Sequence, residues 1–117
     1  MAKLISFDID GTLEVGDPPG CITMEMVRYA KAQGFLIGSC SDRAISHQRQ
    51  IWSQHDITVD FMVLKHRLGE VKEEFTAEVY YHIGDTDVDN FYATQAGFRF
   101  LWIHTITPQA WNPEAWE

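Results

Sequence analysis

The chain has 117 residues, 45% of them hydrophobic and 22% charged, with a formal net charge of −8. That size and composition suit one ordinary globular domain over residues 1–117 and exclude a disordered or low-complexity chain. The acidic balance speaks against a broadly basic nucleic-acid face, and no apolar run approaches the roughly 20 residues of a membrane span.

The N-terminal MAKLISFDID lacks a signal-peptide core, so the expected compartment is the cytoplasm. Cys21 and Cys40 have no CxxC spacing and read as reduced thiols, not as a disulfide or zinc site. In chain order, Lys3 to Asp8 carries the apolar run LISF and predicts a buried strand ending at an acidic loop, with Gly11 supplying the turn. The stretch from Glu14 to Cys21 holds Gly16, Pro18, Pro19 and Gly20 and reads as a loop. Thr23 then caps a helix to about Gln33, closed by Gly34.

Phe35 to Cys40 predicts a second strand, followed by a helix from Ala44 to about His55, with Ser41 and Asp42 as natural cap types. Asp60 to Leu64 predicts a third strand, Arg67 to Thr76 a helix, and Val79 to Gly84 a fourth strand. A last helix runs from about Asp87 to Ala96 with Thr86 as its cap, and Phe100 to Ile103 completes a fifth strand. Alternation of this kind favours a doubly wound, Rossmann-like parallel sheet in a three-layer α/β/α arrangement, with its site at the carboxyl ends of the strands. The tail from His104 to Glu117, with Pro108, Trp111, Pro113 and Trp116, has no assignable regular structure.

The carboxylates are not evenly spread. Asp8 and Asp10 flank one residue where the first strand meets Gly11, and Gly84-Asp85-Thr86-Asp87-Val88-Asp89 repeats the arrangement at another strand end. A parallel sheet brings such ends to one edge, so Asp8, Asp10, Asp85 and Asp89 converge there. A cluster of like charges with oxygen-only ligands calls for a hard cation such as Mg²⁺.

The DIDGTL segment, Ser41 after FLIGSC, a downstream lysine and GDTDVDNFYATQAG together resemble the four ordered motifs of the haloacid dehalogenase superfamily, over about Lys3 to Ile103. The resemblance implies a phosphatase in which Asp8 attacks phosphorus to form an aspartyl-phosphate. Asp10 protonates the leaving oxygen and later deprotonates the hydrolytic water; relatives that cleave carbon–halogen bonds lack this second Asp. It further implies Mg²⁺ held by Asp8, the Asp10 backbone carbonyl, Asp85 and Asp89, and phosphate held by Ser41, the N–H of Gly11, Thr12 and a lysine.

Lys65 and Lys72 both lie between the third and fourth strands. Geometry favours Lys65, because the chain must descend beside a strand rising about 20 Å while a helix covers only about 1.5 Å per residue, and starting at Lys72 leaves too few residues. Lys72 stays open if its segment is extended. The resemblance also implies a capless member, since the spans from Asp10 to Ser41 and from Ser41 to Asp85 are too short for a cap. An open site of that kind calls for a homo-oligomer or a large phosphorylated substrate.

Plainer readings exist for several of these residues. The DxDGT run serves as a turn, Ser41 as a helix N-cap, Asp89 as the acidic half of a capping box, and either lysine as part of a solvated face. Arg43 and Asp42 read as a surface pair, with the leaving group as their alternative partner. The five histidines show no ligand spacing, and His82 reads as a satisfied or edge residue. The rival functions are a polynucleotide 3′-phosphatase, which the acidic charge disfavours, and a non-catalytic subunit that binds Mg²⁺ or phosphate.

Overall fold

A computed structural model describes residues 2–116; Met1 and Glu117, the last residue of the predicted tail, lie outside the described residues. The chain alternates β1 (Leu4–Phe7), α1 (Met24–Ala32), β2 (Leu36–Ser41), α2 (Ile45–Gln54), β3 (Phe61–Leu64), α3 (Leu68–Glu74), β4 (Tyr80–Gly84), α4 (Asp87–Ala96) and β5 (Arg99–Trp102). The five strands form one parallel sheet in the order β3-β2-β1-β4-β5. The strand order and the alternating helices make it a Rossmann-like α/β sheet.

The side-chain period of two divides the sheet into two apolar faces. Ile5, Phe7, Ile37, Tyr81 and Ile83 pack with Val27 and Ala30 of α1 and with Ile51 and Trp52 of α2. Leu4, Cys40 and Phe61 face the other way, onto Leu68 and Val71 of α3 and Ala93 of α4. After β3 the chain reverses its direction across the sheet and crosses to β4 on the far side of β1. Right-handed crossovers therefore put the later helices on the opposite face.

Among the described residues, α1 and α2 are the helices on the first face, and the C-terminal segment completes it. Ile106, Trp111 and Trp116 pack against that cluster beside Tyr81 and Leu101. Trp116 meets the Tyr81 ring edge-on at 5.2 Å and Trp111 at 5.3 Å, and the Trp111 indole N–H donates to the Met26 carbonyl at 2.9 Å. The tail is thus a packed strap with short 3₁₀ turns at Ile103–Thr105, Pro108–Ala110 and Pro113–Ala115. Its sequence shows none of this, because three-residue turns carry no periodicity.

Elsewhere the boundaries shift slightly. The predicted helix from Arg67 starts after a 3₁₀ turn at Lys65–Arg67 and ends at Glu74, and β5 begins one residue earlier than its apolar run. Thr23 and Thr86 cap α1 and α4 through their side chains, and Gly97 ends α4 at φ +80°. Among the described residues, no helix is long and apolar enough to cross a membrane.

Candidate active site

Strand order reverses between the neighbours β1 and β4, so their outgoing chains part in opposite directions and leave a crevice at the carboxyl edge. Asp8 follows β1, Ser41 ends β2, Lys65 follows β3 and Asp85 follows β4. Asp8, Asp10, Ser41, Lys65 and Asp85 line a cavity of about 130 Å³ at this edge, together with Pro18, Asp42 and Thr86.

Asp8, Asp85 and Asp89 each bring a carboxylate oxygen within 4.8 Å of the others. Asp89 is fully buried, and its place is set by the start of α4. Its Oδ2 accepts from the N–H of Asp85 at 3.0 Å, the N–H of Thr86 at 3.1 Å and the Thr86 hydroxyl at 3.0 Å. The capping-box reading of Asp89 therefore holds, and one oxygen remains for the cluster. Close approach at Gly84 permits this, since a Cβ there would stand 2.6 Å from the Asp89 Cβ. Gly11, at φ +77°, similarly lets the chain pass the Asp85 carboxylate, with which any Cβ would collide.

The remaining oxygen, Asp89 Oδ1, pairs with Lys65 Nζ at 2.8 Å and lies 3.9 Å from His82 Nε2. Lys65 is itself buried and reaches Asp42 at 3.5 Å and Asp8 at 3.9 Å. Lys72 points elsewhere: its ammonium bonds the Gly97 carbonyl at 3.3 Å and lies over the Tyr80 ring. Of the two lysines, the structure brings Lys65 to the acidic cluster.

These contacts shift the proton affinities of the cluster. Burial, followed by the neighbouring Asp89 charge, pushes the Asp8 carboxyl up to about 8 against the opposing pull of Lys65. Burial also raises Asp85. For Asp89 burial acts upward too, but the nearby His82 and the Lys65 ammonium outweigh it and hold the carboxyl well below the usual range. Burial would lower Lys65, yet Asp89 and Asp8 raise it and keep it charged.

Asp10 stands apart from the three clustered carboxylates. Arg43 grips it with two donors, Nε to Oδ2 at 3.1 Å and Nη2 to Oδ1, and the Asp17 N–H adds a bond to Oδ1 at 2.8 Å. Hydrogen bonding from Arg43 lowers the Asp10 pKa despite partial burial. The predicted Arg43–Asp42 surface pair does not form; Arg43 turns to Asp10 and Asp42 to Lys65.

Other expected contacts differ. The Gly11 N–H donates to the Pro18 carbonyl, and Thr12 is fully buried with its hydroxyl unpartnered, so neither lines the cavity. Ser41 does line it, and its hydroxyl accepts the Arg43 N–H at 3.1 Å. His82 is not an edge residue: it lies buried on interior strand β4, with Nδ1 2.9 Å from the Ser6 hydroxyl and Nε2 toward Asp89. A histidine flanked by apolar strand residues carries no motif, and only the β1–β4 pairing reveals its place beneath the cluster.

Comparison of the sequence with protein-family models and with curated proteins finds no match in either.

Proposed function

We propose that this chain is a Mg²⁺-dependent phosphomonoester hydrolase of the haloacid dehalogenase type, without a cap, acting through an aspartyl-phosphate on Asp8. The observation that carries the reading is the gathering of Asp8, Asp85, Asp89 and Lys65 at one sheet edge, with Asp10 lining the same cavity. The ordered motifs of the sequence support it independently.

The donor set fits Mg²⁺. Asp8, Asp85 and Asp89 offer hard oxygen ligands only, and the crowding that drives up the Asp8 pKa is the condition a divalent cation relieves. When bound, Mg²⁺ would offset repulsion between the Asp8 carboxylate and an anionic phosphate and polarise the phosphoryl oxygens.

Asp8 attacks phosphorus as its carboxylate, the bond from phosphorus to the ester oxygen breaks, and Asp10 gives that oxygen a proton. Water then attacks the phosphorus of the acyl phosphate, Asp10 takes the proton of that water, and inorganic phosphate leaves with Asp8 restored. Hydrogen bonding from Arg43 favours the ionised Asp10 that acts as base in the second step, while a phosphate dianion beside Asp10 favours, by like-charge repulsion, the protonated form that enters the first step and is regenerated in the second. Lys65 and Ser41 hold phosphate oxygens from the β3 and β2 side of the cavity.

The test is hydrolysis of an aryl phosphate with Mg²⁺ and with EDTA by the native protein and by Asp8→Asn and Asp10→Asn. Turnover that needs the metal and is lost in Asp8→Asn is the expected result. Turnover that survives in Asp8→Asn would overturn the nucleophile assignment.

A further inference from the structure

Among the described residues, Arg43 is the strong cation at this site that pairs with Asp10 and not with the acidic triad, which Lys65 serves. Its planar guanidinium can grip a carboxylate with two parallel bonds, which fixes the orientation of that carboxylate as well as its place. Nε and Nη2 are both committed to Asp10, and the Asp17 N–H closes the third side. An exposed surface pair would owe this geometry to chance, but the backbone that carries Arg43 is anchored from inside the protein.

Gln48, fully buried on α2, donates from Nε2 to the Arg43 carbonyl at 2.8 Å and to the Val63 carbonyl at 3.2 Å. Gln48 Oε1 accepts the Ser39 hydroxyl at 2.6 Å, and that hydroxyl accepts the Trp52 indole N–H at 3.0 Å. From the other side the Ser41 hydroxyl accepts the Arg43 N–H. Buried polar chains are costly unless fully satisfied, and this one is; its outer end is the backbone of Arg43.

We infer that Arg43 is the positioning residue for Asp10: held by the buried Trp52–Ser39–Gln48 chain, it aims the Asp10 carboxyl at the ester oxygen that leaves. The inference rests on the proposed function and concerns the leaving-group step alone. Loss of aim matters in proportion to how much the leaving oxygen needs a proton. An alkoxide needs it badly and a nitrophenolate hardly at all.

The experiment measures kcat/KM, which covers the steps up to leaving-group release, for p-nitrophenyl phosphate and an alkyl phosphate. It compares the native protein with Arg43→Ala, Arg43→Lys and Asp10→Asn, and with Arg43→Ala combined with Asp10→Asn. The expected losses in Arg43→Ala are roughly 100-fold on the alkyl ester and under about 10-fold on the aryl ester. Lysine, a single point charge, does not restore the difference, and added guanidinium partly does. With Asp10 already replaced, removing Arg43 changes aryl ester turnover no further. Mg²⁺ affinity of Arg43→Ala, read by calorimetry, stays at the native value.

Equal losses on both esters, or an Arg43 effect that persists unchanged beside Asp10→Asn, would overturn the inference and make Arg43 a general structural or substrate-binding group. Should Arg43→Ala not fold, Arg43→Lys gives the same decision: a selective alkyl-ester loss supports the inference and an equal loss overturns it. Native protein that cleaves neither ester, or cleaves them equally well as Asp8→Asn, removes the proposed function itself and the inference with it. Asp8-dependent activity indifferent to Arg43 removes the inference alone.

Discussion

The Lys65 ammonium lies 2.8 Å from Asp89 Oδ1 in a pocket where neither side chain meets much water. A buried cation so placed holds together carboxylates that would otherwise repel one another, Asp8 at 3.9 Å among them.

Removing that cation leaves buried charge without compensation. Lys65→Met is expected to lose about 3 kcal/mol of stability in EDTA, by the usual cost of breaking a buried pair from one side. Urea denaturation in EDTA and in Mg²⁺ checks this. The deficit should shrink when Mg²⁺ is present, because the ion takes over part of the neutralisation, whereas activity should stay low for want of the phosphate contact.

Asp8 gives the metal-free protein a pH dependence of definite sign. Its folded carboxyl titrates at about 8, above the 3.8 of an ordinary aspartate. Between those values the folded state holds a proton that the unfolded state has released, so the contribution of Asp8 to stability is greatest below about pH 4 and falls as pH rises toward 8. The slope is at most about 1.4 kcal/mol per pH unit. Asp89, held below its ordinary value, acts in the opposite sense only under more acidic conditions. Thermal melts across pH 5–8 in EDTA should show the decline, Asp8→Asn should flatten it, and the gain from added Mg²⁺ should grow with pH.

The C-terminal strap should matter for stability and not for the site. Lys3, just before β1, bonds the Trp116 carbonyl at 2.8 Å, so the strap ends at the edge of the sheet opposite Asp8. Trp116→Ala uncovers Tyr81 and removes the Trp111 ring contact, for an expected loss of about 2 kcal/mol. Mg²⁺ affinity measured by calorimetry should stay unchanged.

The legible parts of this protein were those with local signatures. Apolar runs ending in Asp or Ser marked β1, β2 and β4, and Thr86 with Asp89 marked the start of α4. A descending helix needs more residues than Lys72 leaves before β4, which favours Lys65, and the structure places Lys65 in the cluster. What stayed hidden depends on pairing between distant segments. Arg43 turning from Asp42 to Asp10 is set by Gln48 and Ser39 beneath it, and His82 lies under Asp89 only because β4 is an interior strand. The family resemblance implies a phosphate-binding N–H at Gly11, yet that N–H is spent on Pro18 across a loop whose path Gly and Pro permit but do not specify.

The central claim is that Asp8 is a nucleophile, and trapping tests it most directly. Native protein is mixed with a phosphomonoester and Mg²⁺, quenched, and treated with borohydride, which reduces an acyl phosphate to the alcohol and so converts the phosphorylated aspartate to homoserine. Peptide mass spectrometry should find homoserine at position 8 alone, dependent on substrate and Mg²⁺ and absent from Asp8→Asn. Steady hydrolysis with Asp8 unmodified under the same quench, or homoserine at another aspartate, would contradict the account.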